Sequence, residues 1–271
     1  MGDISGALDS FEQSLVIRRN LLEDTQTTDA AIALCASLDY CGDCASRQYR
    51  YDDALGYYVE ALNIRKHIQS EFANMGLESN LATSLVKVGD IYLKMDQPID
   101  AKNCYLEAFA IREHNYNKKH THENRRNLAI ACQRMGNLLC RMEDSESALH
   151  YYERNMTLCK EILVYDISHQ AKRDYKVSIV KMAEATEDLE QLEKAYEWYQ
   201  EYYGLCIQLV EEYGYLMDYD DLAVACFSLG RFGDEDMMRK AYNLYSQMAD
   251  QFPNDQRYKQ NRDYIKNTFF S

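Results

Sequence analysis

The residue types most capable of chemistry in this sequence are its cysteines and histidines, and neither set is arranged for it. Cys41 and Cys44 stand in a Cys-Gly-Asp-Cys run, which is redox spacing. A dithiol site of that kind needs a βαβ setting, and this pair falls in the middle of a helical pattern. His114, His120 and His122 cluster around Lys118 and Lys119. A metal site would need a third or fourth ligand in suitable geometry, none is spaced for it, and the cluster reads as a surface turn. Asp52-Asp53 and Glu211-Glu212 read as helix starts or polar faces. There is no nucleophile–base pair, no Gly-rich phosphate loop and no metal motif. The sequence therefore points away from an enzyme and implies no cofactor and no metal.

The elements that carry these residues are helices. The chain of 271 residues holds only 2 Pro and 11 Gly, so long helices joined by short turns are expected. Apolar residues make up 46% and charged residues 27%, ordinary for a globular protein. The formal net charge of −14 disfavours nucleic acid and anionic membranes as partners, because both are bound through clustered Lys and Arg. No apolar run approaches the roughly 18 residues of a membrane span. The start, Met1-Gly2-Asp3-Ile4-Ser5, lacks a basic region followed by an apolar one. Nine cysteines, an odd number without a disulfide-like framework, imply reduced thiols and a cytoplasmic location.

The strongest signal is an internal repeat. Gly42, Gly89 and Gly136 recur every 47 residues, and the same step lands on Ala183 and Gly230. Twelve residues after the first four come Ala54, Ala101, Ala148 and Ala195; Ala241 follows Gly230 by 11, and Ala7 precedes Ala54 by 47. Four residues after each alanine is an aromatic: Phe11, Tyr58, Tyr105, Tyr152, Tyr199 and Tyr245. Ten after is an aliphatic: Ile17, Ile64, Ile111, Leu158 and Leu205. These offsets lie on one face of an α-helix. Each repeat thus predicts a helical hairpin whose small residues allow close approach, with the aromatic filling the space between one hairpin and the next. Cys41 takes the packing position of Val88 and Met135, so it is expected in the core. Most of the 23 tyrosines are expected in packing as well.

This pattern resembles the tetratricopeptide repeat over nearly the whole chain. The phrases Ala61-Leu62-Asn63-Ile64-Arg65 and Ala108-Phe109-Ala110-Ile111-Arg112 are similar to the longer repeats of kinesin light chains and bacterial signalling proteins. The resemblance implies an all-α, right-handed superhelix, an α-solenoid of antiparallel hairpins. The period departs from the common one of about 34 residues, and the last two repeats are degenerate, with Ala183 for glycine and an irregular Arg231-Phe232-Gly233-Asp234. The expected map is one array: a lone second helix at 3–22, five hairpins near 28–74, 78–117, 122–165, 169–213 and 217–251, and a polar capping helix at 254–269. Met1 aligns with Met95 and Met142 just before the hairpin turns, so the chain is expected to begin inside a repeat, as a fragment of a longer protein or from a gene start placed too late. The first helix would then expose Leu8, Phe11, Leu15 and Ile17 and favour end-to-end self-association.

In tetratricopeptide arrays the first helices line a concave groove. By that resemblance, the groove positions fall two before, one after and five after each small residue. They hold Tyr40, Lys87, Arg134, Lys181 and Ser228; Asp43, Asp90, Asn137, Glu184 and Arg231; and Arg47, Lys94, Arg141, Asp188 and Glu235. The middle of this groove, with Lys87, Lys94, Arg134 and Arg141 around Asp90 and Asn137 and with Lys181 beyond, is basic in an acidic protein. Those residues are the expected binding site for a peptide or protein bearing an acidic segment or a carboxylate. Pairs three apart, Lys87 with Asp90 and Lys181 with Glu184, could instead neutralise each other along one helix. The chain reads as a scaffold or adaptor. The alternative is a ligand-sensing module of a larger signalling protein, such as a cytoplasmic receptor for a signalling peptide.

Overall fold

A helix needs its apolar side covered, and in this chain the repeat supplies the cover by packing each helix on the next. The computed structural model describes residues 4–71 and 77–270. Among the described residues there are twelve helices and no strand. They fall into two compact units. The first, to Met142, holds α1 (Ile4–Thr25), α2 (Thr28–Arg47), α3 (Tyr51–Glu71), α4 (Glu78–Lys94), α5 (Pro98–Lys118) and α6 (His122–Arg141). The second, from Glu143, holds α7 (Ser145–Leu163), α8 (His169–Asp188), α9 (Leu192–Glu212), α10 (Leu216–Gly230), α11 (Glu235–Gln251) and α12 (Gln256–Phe269). Within each unit, consecutive helices pack against each other. α1 runs on past residue 22 to Thr25. Asp3, the end of the first expected hairpin at 72–74 and the Met1 alignment lie outside the described residues.

Side-chain caps fix where helices start. Thr27, Thr121, Asp144, Ser168, Asp234 and Asp255 each accept a hydrogen bond from a first-turn amide. Pro98 opens α5, where its missing N–H costs nothing. The turns that end first helices recur with the repeat. Tyr49, Asp96, Glu143 and Glu190 all have positive φ, between 57° and 62°. The amides of Arg50, Gln97 and Gln191 then reach back to the carbonyls of Ala45, Tyr92 and Thr186 at 3.0, 2.8 and 2.9 Å. That is a Schellman closure built without glycine.

The core follows the repeat residues. Ala54, Ala101, Ala148, Ala195 and Ala241 are fully buried, and the five repeat tyrosines are nearly so. The tyrosines also meet their own hairpin's glycine. A Cβ on Gly42 would stand 2.5 Å from Tyr58 Cε1, and one on Gly89 would stand 2.6 Å from Tyr105 Cε1. Each ring therefore fills a notch over the glycine of its own hairpin, and the next hairpin closes over it: the Lys87 ammonium stands 5.1 Å from the Tyr58 ring centre. Cys41 is in the core with Leu15, Leu34, Cys35, Leu38, Cys44 and Ala61, and burial pushes its thiol up to about 11. His114, His120 and His122 are exposed, with His120 edge-on to Tyr116 at 4.5 Å.

Two expectations about α1 need correction. Leu15 is buried because it packs on α2, and Phe11 stacks on Tyr40 at 5.1 Å. Ile17 is exposed as expected, joined by Val16 and Leu21; the Leu8 side chain lies outside the described residues. At the other end, α12 buries Tyr258 and Ile265 and turns Arg257, Gln260, Asn261 and Lys266 outward.

The glycine notch gives opposite outcomes for two alanine substitutions. Gly56 on α3 is exposed, with nothing near its would-be Cβ. Gly56→Ala should stabilise by about 0.5–1 kcal/mol through helix propensity. Gly89→Ala gains the same propensity but overpacks a ring that cannot move away, at a cost of about 1–3 kcal/mol, and should be destabilising overall. Tyr105→Ala should cost about 3–5 kcal/mol. Denaturant melts of the three variants check this, and equal signs for the two glycines would overturn the notch.

Candidate functional site

The repeat tyrosine has a polar end, and that end organises the candidate surface. In the first unit, the Tyr58 hydroxyl donates to Asp43 Oδ1 at 2.5 Å. Lys87, on the next first helix, donates to both oxygens of the same carboxylate at 2.9 and 3.1 Å. One repeat later, Tyr105 donates to Asp90, and so does Arg134. Lys87 and Asp90 thus do not pair along α4; each faces a neighbouring repeat. Glycine, tyrosine, carboxylate and cation form one unit, used twice.

Burial and the nearby carboxylates push the Tyr58 and Tyr105 phenols far above their usual range. The second unit has a variant of the same unit. Tyr199 donates to Glu187 at 2.7 Å, and Arg231 donates to both oxygens of Glu187 at 2.8 and 3.0 Å. Burial raises the Glu187 pKa, but the bonds from Arg231 and Tyr199 outweigh it and hold the carboxyl below the usual range.

The other expected site residues divide. Lys94 is exposed; its ammonium donates to Ser46 Oγ at 2.7 Å and lies 5.7 Å from the Tyr51 ring centre. Arg141 donates to the Leu93 carbonyl at 3.0 Å and to Asp96 at 2.7 Å. Asn137 is exposed on α6 and has a partner. Lys181 donates to Glu184 at 2.6 Å within α8, the pairing along one helix that the spacing allowed. Ser228, an expected groove residue, is buried instead.

Lys87, Asp90, Lys94 and Arg134 come together on one cavity of about 480 Å³ in the first unit. Three further charged residues line it: Asp43, Arg47 and Arg112. Five cations therefore face two carboxylates, and both carboxylates are already spent on Lys87 and Arg134. Arg47, Lys94 and Arg112 have no carboxylate partner among the described residues. Arg112 was not legible as a site residue, because its place on a second helix reads as packing. It is 8% exposed. Burial, and then the charge of Arg134, lower its pKa to about 10, which leaves it cationic at neutral pH.

The second unit has a cavity of about 600 Å³ at corresponding repeat positions, with the charge reversed. Glu184, Glu187 and Asp188 face Arg231 alone. Asp188 stands where the first unit has Arg47, Ser228 where it has Lys87, and Arg231 where it has Asp90. Of the expected basic site residues only Lys181 falls in the second unit, and its ammonium is paired with Glu184.

The tyrosine–carboxylate unit predicts alkaline instability. Above pH of about 10 an unfolded tyrosine loses its proton, whereas Tyr58 and Tyr105 keep theirs while folded. The unfolded state then binds fewer protons, so stability falls as pH rises. Tyr105→Phe removes one such group, and its denaturant midpoint should fall less than that of the parent protein between about pH 9 and about pH 11. Equal losses in the two proteins would show that Tyr105 titrates normally.

No protein-family model matches the chain, and no curated protein sequence matches it. Solved structures do match. BtubC (BKLC) from P. vanneervenii superposes with a TM-score of 0.67 at 14% identity, covering 98% of this chain and 93% of that one. A Rap protein complexed with Competence and Sporulation Factor gives 0.59 at 14% identity, covering 98% and 70%. A putative kinesin light chain from Podosopora anserina, with nearly identical TPR-like repeats, gives 0.58 at 13% identity, covering 79% and 95%. At such identities the likeness concerns architecture, and with the 47-residue hairpins it establishes that this chain has the tetratricopeptide-type helical-repeat fold.

Proposed function

We propose that this protein is a binding scaffold, and that the first unit's cavity takes an acidic or carboxylate-bearing segment of a protein or peptide. The carrying observation is the unneutralised charge of Arg47, Lys94 and Arg112 in a cavity of a protein whose net charge is −14. Each cation can form a charge-assisted hydrogen bond, and a carboxylate is the complementary acceptor on a polypeptide. A protein of like fold, the Rap conjugation gene regulator of the plasmid pLS20, is in complex with the Phr* peptide, which supports the choice of a polypeptide ligand. Lys87 and Arg134 have a second task here: they hold Asp43 and Asp90, so the cavity keeps its shape while its remaining cations stay open to a ligand.

The test uses short peptides that differ only in Asp and Glu content. Affinity should rise with the number of carboxylates and fall with added salt. Lys94→Glu and Arg47→Glu are suitable probes because both side chains are exposed; Arg134→Glu would also break the bond to Asp90. A hydrogen bond to a charged group contributes about 1.5–3 kcal/mol, so each reversal should weaken binding about tenfold to a hundredfold. If both folded variants bind as the parent does, the ligand sits elsewhere. A further expectation concerns α1, where Val16 is 59% and Ile17 67% exposed. Self-association through this stripe should raise the light-scattering mass with concentration, and Ile17→Glu should abolish the rise.

A further inference from the structure

Arg112 has a counterpart 47 residues earlier, Arg65, and the two differ in what they meet. Arg65 is held by Asp39: its two terminal nitrogens reach the two carboxylate oxygens at 2.6 and 3.4 Å. It also donates to Ser84 Oγ. One repeat on, Asp39 is replaced by Val86 and Ser84 by Ala131. Arg112 keeps the side chain and loses both partners. Its described bond is from Nη1 to the Asn127 carbonyl at 3.2 Å, which leaves most of its five N–H donors unused. The consequence is a residue nine-tenths buried whose guanidinium has no ion-pair partner of its own and opens onto the same cavity that Val86 lines.

Such a group is costly to keep. Removing a cation from water is compensated when a counter-ion and hydrogen bonds replace the water, and here the protein supplies neither in full. A Leu or Met would fill the space without that cost. Arg47 and Lys94 are exposed cations that water already solvates, whereas Arg112 at the cavity wall has the geometry to select. A guanidinium presents a planar fork that matches a carboxylate with two parallel bonds.

We propose that Arg112 is the carboxylate-recognition residue of this cavity, and that a ligand carboxylate takes the place that Asp39 occupies beside Arg65. This rests on the reading of the cavity as an acidic-segment site and names the contact that decides it. The carboxylate comes from an Asp or Glu side chain of the bound segment, whose neighbours then reach Arg47 and Lys94.

The experiment follows the Arg112 side-chain N–H signals by NMR, assigned by their loss in Arg112→Lys. Three probes are titrated: an amidated tetrapeptide with two Asp residues, an uncharged tetrapeptide with a free C-terminal carboxylate, and inorganic phosphate. The amidated acidic peptide should shift the Arg112 signals most. Arg112→Lys keeps the charge but loses the fork, and should weaken that peptide at least about tenfold. Val86→Asp rebuilds the Asp39 arrangement inside the protein. It should leave the melting temperature equal or higher, shift the Arg112 signals without any ligand, and weaken the peptide at least about tenfold. If Lys94→Glu weakens the peptide but Arg112→Lys and Val86→Asp do not, the inference is overturned and the acidic-segment reading stands. If none of the three variants matters, or no acidic peptide binds, both fall. A larger response to phosphate, or to the C-terminal carboxylate, overturns the assignment of a side-chain carboxylate.

Discussion

The tyrosine ring seated on a glycine is the contact on which the rest of the first unit depends. It needs a residue without a Cβ at Gly42 and Gly89, because any methyl group there would overlap the ring. It aims the hydroxyl at the carboxylate one position beyond the glycine, so Asp43 and Asp90 are fixed as acceptors. Those carboxylates in turn fix Lys87 and Arg134. The contributions are unequal. Burying the ring is worth about 3–5 kcal/mol by truncation, whereas a partly exposed ion pair contributes about 0–1 kcal/mol. The ring stabilises the hairpin; the ion pair mainly sets which cations are spent and which are left over.

That distinction separates frame from function. Frame positions keep their size along the chain: the alanines from Ala54 to Ala241 and the tyrosines from Tyr58 to Tyr245 are buried in both units. The cavity positions do not keep their charge. Arg47 gives way to Asp188 and Lys87 to Ser228 at equivalent places. Since packing constrains volume and leaves the sign of an exposed charge open, the sign is where the two units are free to differ.

The frame was legible because a helix stacked on equivalents of itself must repeat its small and large residues at fixed offsets. The small residues and alanines that recur at the 47-residue step lie on the helices from α2 to α11. The turns were less legible. A reader expects glycine where the backbone goes left-handed, but Tyr49, Asp96, Glu143 and Glu190 hold those places, and their diversity hides a turn that recurs with the repeat. The candidate site was half legible. Lys87, Lys94 and Arg134 could be placed on one face from helix geometry. Their partners could not, because the pairing crosses from one repeat to the next while the spacing suggested i,i+3 pairs. Leu15 misled for a related reason: α1 has its own cover from α2 on the side that was expected to be bare.

Two buried cations show how a repeat can expose a residue's purpose. Lys176 stands where Cys35, Ala82 and Ala129 stand in earlier repeats, and it is 1% exposed. A charge at a core position looks like a functional signal, yet Asp221 bonds its ammonium directly. Its charge is balanced inside the protein, so nothing external is needed to explain it. Arg112 is the converse. Its repeat position carries an arginine at Arg65 too, so the residue itself is unremarked, and what has changed is the set of groups around it. The informative comparison is therefore between environments at equivalent positions, not between residue types. A buried charge with its counter-charge present belongs to the fold. A buried charge whose counter-charge has been exchanged for valine, beside an open cavity, leaves an electrostatic cost that a ligand can offset.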